Sequence, residues 1–201
     1  MSPLAALTRK ASLQRLKVAF ADALWIWAQI ELELFDIFRI AISGDKSWET
    51  EDDLRAAFYA VNGAEIRLAM TNAIASKSWG GTEALEEWNS IYKEINKARR
   101  KRGQLAHKFG TTVYDSGHEA AMLIQGASPH DPPYKIGEES SRAFNAKQLE
   151  ALHVSWARTR ARMHQFRLGV ERARLQAFLE RPARQRRGPR TPQARTPKAR
   201  K

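Results

Sequence analysis

The chain of 201 residues contains no cysteine. That excludes disulfides, thiol nucleophiles and thiolate metal sites, and it fits a reducing compartment. Proline is missing from residue 4 to residue 128, so no ring nitrogen interrupts a helix over that stretch. Long hydrophobic runs are missing too. The apolar segment near the N-terminus, flanked by Arg9, Lys10, Arg15 and Lys17, is broken by Asp22, Gln29, Glu31 and Glu33 well short of a membrane span. A soluble cytoplasmic protein without membrane association is expected. There is no glycine-rich phosphate loop, nucleophile elbow or internal repeat, and no spacing of His with Asp or Glu matches a metal site. Neither a metal nor a cofactor is expected.

Acid is absent from one stretch. The net charge of +12 suggests a nucleic-acid binder until it is divided along the chain. Nine of the 34 Lys and Arg, and none of the 22 Asp and Glu, lie in residues 181–201, so 25 basic residues face 22 acidic ones elsewhere. The stretch "RPARQRRGPRTPQARTPKARK" also carries four of the eight prolines and no aromatic or branched aliphatic side chain. It cannot bury enough to fold and reads as a disordered basic arm, attractive to any polyanion or serving only as a solubilising extension. Residues 1–180 are long enough for one core.

What is present in those residues is the helical period. Apolar side chains recur every three or four positions up to Gly110. The spacing predicts a first helix from Ser12 to Ser43 with Gly44 as its stop. A second, capped by Thr50, runs to about Lys77 before Gly80 and Gly81. A third, capped by Thr82, carries the stripe Leu85, Trp88, Tyr92 and Ile95 toward His107. "TTVYDSGHEAAMLIQG" then suggests a small hairpin around Asp115-Ser116-Gly117, followed by a loop with Pro129, Pro132 and Pro133. A last long helix opens at Asn145, with Gln148 placed to complete a capping box, and Pro182 ends it. The expected fold is all-α: an antiparallel bundle of four to five helices with a β-hairpin insertion.

Polar residues fall on the apolar stripes. On a helical wheel Glu31 lies amid Leu13, Phe20, Leu24, Trp27, Phe35, Phe38 and Ile42, and Glu33 points the opposite way. Glu65 and Asn72 share the side of Leu54, Val61 and Leu68, and Arg99, Arg102 and Ala106 continue the third stripe. A carboxylate in such a place costs several kcal/mol, roughly, unless a cation meets it. The expectation is a polar layer in which Glu31 or Glu65 compensates Arg99 or Arg102, with Glu31 behind Arg102. Alternatively Glu31 is simply exposed. His118, His130, His153 and His164 read as surface residues, and the six tryptophans as core or interface.

The segment "RRKRGQLAHKFG", residues 99–110, joins a basic run to a histidine. Its "RGQLAH" resembles the signature of the HEPN superfamily: an arginine, four to six intervening residues and a histidine late in a helical bundle. The resemblance implies metal-independent RNA cleavage by a homodimer, with the arginine and histidine of both copies lining a cleft on the two-fold axis. Here those residues are Arg102 and His107. His107 would exchange protons with the attacking 2′-hydroxyl or the leaving oxygen, Arg102 would stabilise the phosphorane, and Arg99, Arg100, Lys101 and Lys108 would hold the RNA backbone. Gly103 stands where the family usually has a polar residue. Three readings follow: a HEPN-like ribonuclease, as a toxin with an antitoxin partner or a defence component; a catalytically silent HEPN-like bundle that dimerises or binds a partner; and a nucleic-acid binder driven by its basic tail.

Overall fold

The computed structural model describes residues 3–43, 51–106, 108–115, 118–125 and 144–180, together with the linkers 61–63 and 79–82. It contains helices α1 (Pro3–Ser43), α2 (Glu51–Ala60), α3 (Ala64–Ser78), α4 (Glu83–Ala106) and α5 (Ala146–Glu180). Between α4 and α5 lie strands β1 (Lys108–Asp115), β2 (His118–Gln125) and β3 (Phe144–Asn145). The expected all-α bundle forms. The hairpin is where the turn residues place it, with Asp115 paired to His118 and Lys108 to Gln125. The predicted cap at Thr50, stop at Gly44, proline-rich loop and basic tail lie outside the described residues.

α1 is the central helix. It packs on α5, α3, α2 and the hairpin, and for that reason Leu16, Ala23, Ile26, Trp27, Ile30, Leu34, Phe35, Ile37, Phe38 and Ala41 are all buried, around more than half of its circumference. Each large side chain withdrawn in this way contributes about 1.5–3 kcal/mol. Trp27 meets Trp156 edge to face at 5.7 Å, and Phe166 sits 5.2 Å from Trp79 and 6.1 Å from Trp88, which closes the core across α5, α4 and the α3–α4 link.

Side-chain pairs give the helix directions. Arg15 bonds Glu150, His153 meets the Asp22 carbonyl, Glu33 meets His164 and Arg167, and Arg39 meets Glu171. The pairs climb both helices together, so α1 and α5 run parallel. α3 also runs with α1, since Arg67 bonds Glu31 and Ser78 donates to the Ala41 carbonyl. α4 opposes α3 and α5: Trp88 donates to Asn72, Arg99 bonds Glu65, and Arg162 bonds Glu94. The short α2 returns the chain along α1 and permits the parallel arrangement.

The predicted second helix is two helices. The break is at Val61-Asn62-Gly63, where Gly63 adopts φ 96°, a left-handed conformation that costs any residue with a Cβ about 1–2 kcal/mol. The box at the start of α5 forms as predicted: the Gln148 amide donates to Asn145 Oδ1 and the Asn145 amide to Gln148 Oε1, both at 2.9 Å.

Candidate functional site

The carboxyl end of α4 carries the sequence-predicted site. α4 is held by Trp88, Ile91, Ile95, Ala98 and Leu105, all buried and three, four or seven residues apart. Arg102 lies on this inward stripe by position, four residues after Ala98 and three before Leu105, yet it is exposed. Arg100 and Lys101 occupy the other sides of the same turn and are exposed as well. Gly103 does not interrupt the helix, which continues to Ala106. A Cβ built on Gly103 would meet nothing within 4 Å. Lys108 opens β1, and His107 lies outside the described residues.

Among the described residues, Arg100, Lys101 and Arg102 form no ion pair. Arg15, Arg39, Arg55, Arg67, Arg99, Arg162 and Arg167 each meet a carboxylate, whereas Arg158, Arg160 and Arg172, and lysines such as Lys93 and Lys97, form no ion pair among the described residues either. The helix dipole does not account for the run, because its effect is confined to the last turn and the last turn of α4 holds no basic residue. Three exposed cations on one turn, directed to different sides of the helix, can each meet a phosphate of a strand that wraps this end.

The polar layer is partly as expected. Arg99 Nη1 lies 2.6 Å from Glu65 Oε2 and its Nε bonds Asn96, so Arg99 is engaged within the fold rather than presented beside Arg100–Arg102. Glu31 does not stand behind Arg102. Its Oε1 accepts from Arg67 Nη2 at 2.9 Å, while Arg67 Nη1 donates to the Val61 carbonyl at 3.0 Å. The guanidinium lies 5.7 Å from the Tyr59 ring centre and 6.0 Å from that of Phe58. The break at Gly63 is the reason, since it resets the helical phase and turns Arg67 toward α1.

No protein-family model, curated protein or solved structure matches the chain.

A second polar cluster escapes the wheel altogether. Glu33, expected to face away from the stripe, is buried between α1 and α5 with its side chain 9% exposed. Its Oε1 lies 3.0 Å from His164 Nδ1 and its Oε2 accepts from Arg167 Nε at 3.1 Å. Asp36, Arg39 and Glu171 complete the group. Burial pushes the Asp36 carboxyl above its ordinary value, and the charges of Arg167 and Arg39 only partly offset this. For Arg167 burial pulls downward, but the Glu33 hydrogen bond and the surrounding carboxylates raise it above the usual arginine value. His164 is half-buried here and is not a plain surface residue. The usable signal was complementarity: Glu33, Asp36 and Arg39 match His164, Arg167 and Glu171 in helical spacing and oppose them in sign. Among the described residues no group of His, Asp and Glu could hold a metal ion, and no helix is long and apolar enough to cross a membrane.

Proposed function

We propose that the protein is a HEPN-like, metal-independent endoribonuclease whose RNA-contacting surface is the carboxyl end of α4. The observation that carries the reading is the run of three consecutive exposed cations, Arg100, Lys101 and Arg102, which form no ion pair among the described residues and lie on one turn of α4 shortly before His107 in the sequence. Arg100 and Lys101 hold backbone phosphates. Arg102 stabilises the charge that develops on the phosphorane, for which a permanently charged planar donor is well suited. His107, one residue past the helix end, takes the proton from the 2′-hydroxyl as that oxygen attacks phosphorus, or returns one to the departing 5′-oxygen. The products are a 2′,3′-cyclic phosphate and a free 5′-hydroxyl. A toxin or defence setting, with an antitoxin partner, follows from the same reading.

Cleavage of a single-stranded RNA in EDTA tests it. Wild type is expected to cut. His107→Ala should lose cutting by at least 100-fold while RNA affinity stays within twofold. Arg102→Ala should lose both without a fall in melting temperature, because its guanidinium is exposed and unpaired. RNA binding without cutting by the wild type would replace the nuclease by the catalytically silent bundle. That second reading is favoured by Gly103, which leaves open space where the resemblance has a polar side chain; cutting gained by Gly103→Asn would tie the silence to that residue.

A further inference from the structure

The solvent face of α1 carries a seam that the bundle does not use. Val18, Trp25 and Leu32 are 49%, 59% and 44% exposed and are spaced seven residues apart. Three residues after the first two come Ala21 and Ala28, also exposed, and Ala11 and Gln14 extend the same spacing toward the N-terminus. The alternation of three- and four-residue steps is the a/d pattern of a helix that packs along another helix. Between Ala11 and Ala41 the other large apolar residues of α1 are buried or partly buried, and only Ile42 near its end is also exposed. Along the seam they face water, over about 30 Å of helix.

We propose that this seam binds the same seam of a second copy, with the two α1 helices antiparallel. Size alternation selects the partner and the direction. From residue 14 to residue 32 the a-type positions hold the large side chains Val18, Trp25 and Leu32, and the d-type positions hold Gln14, Ala21 and Ala28. In an antiparallel pair a-type residues face d-type ones. Trp25 then covers Ala21 of the second copy, Val18 covers Ala28, and Leu32 covers Gln14, and each contact is repeated by two-fold symmetry. A parallel pair would set Trp25 against Trp25 and alanine against alanine, crowding one layer and emptying the next. On one flank Lys17 comes opposite the second copy's Glu31, whose charge Arg67 already meets, so this pair adds little. On the other Asp22 comes opposite Asp22, the one adverse contact.

α4 packs on α3 and α5, across the bundle from the seam. This two-fold therefore holds the two α4 ends apart. It is distinct from the axis that the HEPN resemblance implies, and it stands whether or not the α4 end acts on RNA.

The experiment uses the full chain, whose lack of cysteine makes introduced thiols unambiguous. In sedimentation velocity at about 10 μM, Trp25→Glu is expected to halve the number of chains in the wild-type assembly, with unchanged helical circular dichroism, whether or not a second two-fold through the α4 ends also forms. Under mild oxidation Asp22→Cys should cross-link to itself. Ala28→Cys should not, but should cross-link when mixed with Val18→Cys. A single-chain wild type, or an assembly whose size Trp25→Glu leaves unchanged, overturns the proposal. Self-cross-linking of Ala28→Cys overturns the antiparallel arrangement. If Trp25→Glu loses helicity, Leu32→Lys and the cross-linking pairs decide in its place.

Discussion

Glu31 and Glu33 stand two residues apart on α1 and serve different neighbours. Glu31 ties α1 to the start of α3 through Arg67, and Glu33 ties it to α5 through His164 and Arg167. Glu33 is the more committed of the two, since its buried carboxylate is met on both oxygens. Asp36, one turn on, is less well placed. Its nearest cations lie 3.8 Å away and its carboxyl is raised above the ordinary value, chiefly by burial. A carboxyl raised in the folded state holds its proton more tightly there than in the unfolded chain, so its ionisation subtracts from stability as pH rises through the carboxylate range. Asp36→Asn is therefore expected to melt slightly higher than wild type at pH 7, by on the order of 0.5 kcal/mol, with the advantage gone below about pH 3.5. Thermal unfolding at the two pH values checks the sign; a variant less stable at pH 7 would mean that the arginines dominate the site.

At the scale of elements, two glycines make opposite demands. Gly63 is required by its positive φ at the α2–α3 break, and Gly63→Ala should cost about 1–2 kcal/mol. Gly103 is an ordinary helical residue with free space around its Cα, and Gly103→Ala should add about 0.5–1 kcal/mol. Urea midpoints of the two variants should move in opposite directions. The box at the start of α5 makes a third case: Asn145→Ala, which removes the acceptor for the Gln148 amide, should cost about 1 kcal/mol in the same measurement. This box was legible because it is written in four consecutive residues. The α2–α3 break is not legible in Asn62-Gly63, because the apolar spacing runs on across it and a wheel assumes one continuous phase. With one continuous phase, the pattern offers no link between Arg67 and Glu31 and directs Glu31 toward Arg102.

At the scale of the molecule, charge and fold belong to different parts of the chain. The basic segment after Glu180 has no apolar surface to contribute. Ending the chain at Glu180 should leave the melting temperature within about 2 °C, on the scale where 1 kcal/mol shifts a domain of this size by about 2–4 °C. Non-specific nucleic-acid affinity and its salt dependence should fall. A larger loss of melting temperature would show that the segment packs on the bundle. Helix content, the hairpin register, the α5 cap and the split between a balanced body and a basic arm were all determined by the sequence alone, because each depends on neighbours within a few residues. Which carboxylate is buried, which arginine compensates it and which stripe of α1 is left to water were decided only by the tertiary structure. These depend on how α3 and α5 are rotated about α1, and the contacts that set α5's rotation join residues more than 130 positions apart. No local pattern carries that angle.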